Sequence, residues 1–125
     1  MDFQVREPVS PLIGGLQHTH IAVEFQIAQE YTGQQRHICY LIPWFRQILD
    51  FDMRTRPNGD AHVRTLIQGA GNGMVAVTNT GNDENWTGHD LAAANLYGFG
   101  RLSYDTTLDP AVIADEWLRL TFGQN

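Results

Sequence analysis

From Ile21 to Ile27 apolar side chains alternate with other types: Ile21, Val23, Phe25 and Ile27 share one side of an extended chain, and Ala22, Glu24, Gln26 and Ala28 the other. Period-two spacing over a short run predicts a β-strand with one buried face. Glu24 and Gln26 on the second face suit the interior of a barrel near a site better than a plain outer surface. The strand closes at Gln29-Glu30-Tyr31-Thr32-Gly33, a polar tip. From Gln34 to Phe51 the spacing changes to three and four, through Ile38, Leu41, Ile42, Phe45, Ile48 and Leu49, which predicts a helix. Pro43 lies inside that pattern and predicts a kink or an interrupted helix. A turn at Arg56 to Asp60 and a short helix over 61–68 follow. Glycines at 69, 71 and 73 then lead into a second strand, Met74 to Thr78. They precede the strand instead of following one, so they do not form a phosphate loop. Asn79 to His89 is a long polar loop. A helix is predicted over 90–102, where Leu91, Ala94, Asn95 and Gly98 allow close packing. The last helix opens with Asp109 as N-cap and Pro110 at its first position, and Gly123 closes it.

Strands alternating with helices indicate a parallel α/β architecture. Two strands do not make a self-contained α/β sheet, so the chain reads as part of a larger fold. In α/β barrels the site lies at the C-terminal ends of the strands, which puts Glu30 and the loop from Asn79 at functional positions. Asp2 is the second carboxylate of interest. A pair such as Asp2 and Glu30 could hold and deprotonate a water, as glycoside hydrolysis requires opposite a separate acid. Any acidic chain offers such pairs, and spacing alone leaves this one open.

Composition narrows the partners. The net charge is −6, and all eight basic residues are scattered arginines, so a surface that tracks phosphates, and with it a nucleic-acid partner, is not expected. No stretch approaches the roughly 20 apolar residues of a membrane span. Met1 to Pro11 lacks the basic flank and apolar run of a signal peptide. The lone Cys39 excludes an internal disulfide and any Cys-rich zinc site.

Three long strings carry a resemblance: MDFQVREPVSPL at the start, VEFQIAQEYTGQQRHICYL from Val23, and NWTGHDLAAANLYGFGRL from Asn85. In content, order and approximate spacing they resemble the α-glucuronidases of glycoside hydrolase family 67, over essentially the whole chain. The resemblance implies that residues 1–94 are the C-terminal part of a (β/α)₈ TIM barrel. Asp2 would follow the sixth strand, 21–30 would form the seventh and 74–78 the eighth. Residues 95–125 would begin a mainly helical C-terminal domain. It further implies an inverting hydrolase of the α-1,2 bond between (4-O-methyl)glucuronic acid and xylose in xylooligosaccharides, a step in xylan degradation. Asp2 and Glu30 match the family's base positions.

The family's general acid, another Glu earlier in the barrel, has no counterpart in this chain, nor do most of the groups that bind the uronate carboxylate. The isolated chain is therefore expected to be an inactive fragment. The resemblance implies no metal and no cofactor, a homodimeric parent, and a bacterial cytoplasmic setting, with secretion as the alternative. Two other readings stand beside it: a different TIM-barrel glycosidase, and a non-catalytic carbohydrate-binding or scaffolding fragment.

Other residues have a functional and a plain reading. Arg6 could clamp the substrate carboxylate or pair with Glu7. Glu24 could support the site or sit in an interior hydrogen-bond network. Trp86 could stack on a sugar ring or anchor its loop, and His89 orients that loop. His18 and His20 fall on one side of an extended run, yet a metal site lacks a clear third ligand. Trp44, Phe45, Tyr97, Phe99 and Trp117 are read as core or domain-interface packing.

Overall fold

The computed structural model describes residues 20–27, 39–53, 62–78, 82, 84 and 91–123. Strands β1 (Ala22–Gln26) and β2 (Gly73–Val77) pair in parallel. Helices α1 (Ile42–Leu49) and α2 (Val63–Ile67) lie between them in sequence, and α3 (Ala93–Tyr104) and α4 (Pro110–Phe122) follow. Parallel neighbours cannot be joined by a tight turn and need a crossover of a dozen or more residues, usually helical. The chain between β1 and β2 meets that need. The mixed α/β class and both strands agree with the hydrophobic pattern.

Alternation along β1 turns Val23, Phe25 and Ile27 into the core. Helical spacing on α1 turns Ile42, Phe45 and Leu49 to meet them. The Phe25 and Phe45 rings stand 4.7 Å apart, and Phe99 of α3 lies 6.0 Å from Phe25, in the tilted arrangements aromatic quadrupoles favour. Val63 and Ile67 of α2, Leu102 of α3 and Ile113 of α4 complete one continuous cluster. Trp117 is buried as well, but Trp44, read as packing from the sequence, is 43% exposed.

Pro43 makes no kink within a helix: it lies at the start of one. Residues 39–41 are not helical, and α1 begins at Ile42 with Leu41 as N-cap and Pro43 in the first turn. Amides of a first turn have no partner within the helix, so proline loses nothing there and its fixed φ favours the start. The earlier part of the expected helix, 34–38, lies outside the described residues.

Two glycines set close approaches. A methyl group at Gly98 would stand 2.3 Å from Cγ1 of Ile42, so α3 crosses α1 at a distance only glycine permits. Gly71, in the turn before β2, has a φ of +80°, and a Cβ there would meet the His20 ring at 2.6 Å. At α4 the expected signals operate: the Asp109 carboxylate accepts from the Ala111 N–H at 2.8 Å, and Gly123 takes a φ of +82° at the C-cap. Among the described residues no helix is long and apolar enough to cross a membrane.

Candidate functional site

The parallel register sets the geometry. Ala22 stands opposite Gly73, Glu24 opposite Val75 and Gln26 opposite Val77. The ladder is extended at one end by Gly73 N–H donating to the Ile21 carbonyl at 3.1 Å, and at the other by Ile27 N–H donating to the Val77 carbonyl at 2.9 Å. Both chains therefore leave the sheet at the same edge, just before Gln29 and just before Asn79.

The two faces of the pair differ. Val23, Phe25 and Ile27, with Met74 and Ala76, meet the helices. Glu24, Gln26, Val75 and Val77 occupy the other face, where Val75 is 47% and Val77 40% exposed. Glu24, singled out in the sequence, is half-buried on this face, below the edge from which the chains depart. Gln26 ends β1 one layer nearer that edge, and its Oε1 is enclosed with no hydrogen-bond partner. Sequence reading placed Gln26 on the polar face without giving it a role. The signal available was its position as the last residue of the alternation.

Asp2, Arg6, Glu30 and Trp86 lie outside the described residues, as do His18 and His89. His20 is exposed and packs over Gly71, at the end of β1 opposite the strand tips. Among the described residues no group of three or more His, Cys, Asp or Glu could hold a metal ion.

Behind the strand edge, the segment that returns to α1 is held by the C-terminal helices. Asn95 is 1% exposed. Its Oδ1 accepts from the Leu41 N–H at 2.8 Å and its Nδ2 donates to the Cys39 carbonyl at 2.8 Å. One amide thus satisfies both backbone groups, as a neighbouring strand would. Tyr40 donates its hydroxyl proton to the Pro110 carbonyl at 2.8 Å. Burial, and then the Asp109 charge, push the Tyr40 phenol up to about 12. Arg46 Nε donates to the Leu108 carbonyl at 3.3 Å, and Gln68 Nε2 to Thr106 Oγ1 at 3.2 Å. In the sequence Asn95 belongs to a set that allows close packing; its partners lie more than fifty residues away, where no local pattern reaches.

Comparison with known proteins agrees with the resemblance in the strings. Residues 1–86 match the Glycosyl hydrolase family 67 middle domain, and residues 87–125 the Glycosyl hydrolase family 67 C-terminus. The chain is 45% identical over its whole length to a probable alpha-glucuronidase A of Aspergillus niger and to alpha-glucuronidase A of Aspergillus tubingensis, covering 15% of each. A probable alpha-glucuronidase A of Aspergillus fumigatus is 46% identical over 98% of the chain, again 15% of that protein. The chain thus spans about 15% of the length of the curated relatives it matches. These relatives are fungal, which corrects the expected bacterial cytoplasmic setting: that expectation rested on a bacterial origin, and similarity this high runs to Aspergillus proteins. Matched from end to end by the two consecutive domains of one family, the chain belongs to glycosyl hydrolase family 67.

Proposed function

We propose that this chain forms the catalytic-base side of an α-glucuronidase active site. In this reading residues 1–94 complete a (β/α)₈ barrel and residues 95–125 open the helical domain behind it, with β1 and β2 as adjacent barrel strands. Parallel pairing carries the proposal, because it brings the chain leading to Glu30 and the chain leading to Trp86 out of the sheet at one edge. Catalytic groups of α/β barrels come from that edge. The exposed Val75 and Val77 fit the same picture, since inward side chains of a barrel strand pack against those of the other strands.

Chemically, Asp2 and Glu30 hold one water between them and remove its proton. The oxygen attacks the anomeric carbon of the glucuronic acid from the face opposite the xylose. The glycosidic C–O bond breaks, and a carboxylic acid elsewhere in the barrel protonates the departing oxygen. Such an inverting pair of acid and base stands roughly 6.5–9.5 Å apart to admit the water. Two carboxylates around one water repel each other's charge, so they share the base role as a coupled pair. Arg6 pairs with the uronate carboxylate, Trp86 stacks on a sugar face, and Glu24 supports the site from within the barrel. The substrate is a xylooligosaccharide bearing (4-O-methyl)glucuronic acid, and the parent enzyme is a homodimer.

The test is a hybrid in which this chain replaces the matching stretch of the Aspergillus tubingensis relative. Hydrolysis of aldotriouronic acid with release of the inverted sugar anomer, followed by proton NMR, is the expected result. Preferential cleavage of neutral aryl glycosides would point to a different barrel glycosidase and overturn the assignment.

A further inference from the structure

We infer that Asn95 and Phe99 of α3 form a clamp that sets the position of Glu30, which makes Asn95 a positioning residue for the reaction. This deepens the proposed function and rests on its assignment of Glu30 to the base. Glu30 falls between two fixed points of the chain, three residues after Ile27 and nine before Cys39. At the first point Ile27 is buried and bonded into the sheet, its N–H donating to the Val77 carbonyl at 2.9 Å. At the second, the buried Asn95 amide holds the Leu41 N–H and the Cys39 carbonyl, each at 2.8 Å.

One helix serves both points. Asn95 and Phe99 are four residues apart on α3 and so share a face, one turn from each other. Phe99 braces β1 through the Phe25 ring at 6.0 Å, while Asn95 ties down 39–41. Gly98 lets α3 approach Ile42, the residue after Leu41, more closely than a side chain would allow, which brings the amide within reach of that backbone. α4 adds a second tie to the same segment, the Tyr40 hydroxyl donating to the Pro110 carbonyl at 2.8 Å. A segment fixed at both ends has fewer conformations open to it than one with a free end. A base must stand within hydrogen-bond reach of its water, and a misplacement of about 1 Å can cost on the order of a hundredfold in rate. Asn95 lies in the stretch that matches the family's C-terminus and Glu30 in the stretch that matches its middle domain. The C-terminal helices thereby act on the chemistry through the backbone, without touching the sugar.

The hybrid enzyme tests this with Asn95→Ala, assayed on aldotriouronic acid well below its Tm. The expected result is a kcat lower by about tenfold with KM within about twofold, because a displaced base is missed in the transition state more than in the bound substrate. Ile67→Ala is the control: it removes a buried side chain of α2, destabilises by packing loss and leaves the clamp in place, so its kcat is expected to stay unchanged. An undiminished kcat in Asn95→Ala, or an equal fall in Ile67→Ala, would overturn the inference, the second because lost stability alone would then explain the effect. If Asn95→Ala does not fold, Tyr40→Phe decides: a kcat lower by about threefold supports the clamp, and an undiminished kcat refutes it. Glu30→Gln runs alongside. If it destroys turnover while Asn95→Ala does nothing, only the clamp fails; if Glu30→Gln leaves turnover intact, the assignment of the base itself fails.

Discussion

The α3–α4 pair and the β1–β2 pair handle polar groups in opposite ways. In the helical pair they are matched internally. Asp109 caps α4, and Glu116 accepts from Arg101 Nε at 2.9 Å and from the Tyr97 hydroxyl at 3.3 Å, while Asn95 spends both ends of its amide on backbone. The sheet pair leaves a buried glutamine oxygen unmatched and two valines exposed. The helices match their polar groups yet leave Leu96, Val112, Leu118, Leu120 and Phe122 exposed, whereas on the sheet an unmatched acceptor stands beside the exposed valines.

The largest expected effect concerns whether the two regions are mechanically one. Phe25 of β1 is fully buried and meets Phe45 of α1 and Phe99 of α3. Phe25→Ala is expected to lower unfolding free energy by about 3–5 kcal/mol in urea titration. Circular dichroism and tryptophan fluorescence should report one coincident transition. Separate transitions would mean that the sheet and the helices unfold as independent units.

Asn95→Ala sharpens the same point. It strands the Leu41 N–H and the Cys39 carbonyl, each a group whose burial without a partner costs on the order of 1–3 kcal/mol, and a total loss of about 3 kcal/mol is expected. Amide hydrogen exchange at Leu41 should accelerate in the variant. A change below about 0.5 kcal/mol, the range of an ordinary surface substitution, would show that the joint is held by packing alone.

A smaller effect follows from Tyr40. Its pKa is raised in the folded chain, by burial and then by Asp109, from 10.0 to about 12. A raised folded pKa means a contribution fully present below pH 10 and lost as pH climbs toward 12. Tyr40→Phe removes the bond to the Pro110 carbonyl, should cost about 1 kcal/mol at neutral pH, and should flatten this alkaline loss. Denaturant melts between pH 8 and about pH 11 check it; a variant with the same slope as the parent would assign the alkaline loss elsewhere.

How much of this was legible beforehand followed the range of the interactions. Alternation in 21–27 and the Asp109-Pro110 and Gly123 signals act within one element, and they marked β1 and α4 correctly. At Pro43 the choice stayed open because apolar spacing is the same whether a proline interrupts a helix or opens it. What decides is the non-helical segment 39–41, pinned by Asn95 from far along the chain. Glu24 could be assigned to the open face by counting residues. An unpaired oxygen on Gln26 could not, because an acceptor is unmatched only with respect to neighbours in space. Asp2 and Glu30 enter as base candidates through the resemblance of DFQVREP and QEY, not through spacing.

Turnover by the hybrid after removing each charge tests most directly whether the two carboxylates converge on one water. Glu30→Gln and Asp2→Asn are each expected to reduce kcat on aldotriouronic acid by 10²–10⁴-fold, the range for loss of a general base. The double variant should lose little more, because the pair acts as a unit. Undiminished kcat in either single variant would contradict the shared-base arrangement, and undiminished kcat in both would remove this chain from the chemistry of the reaction.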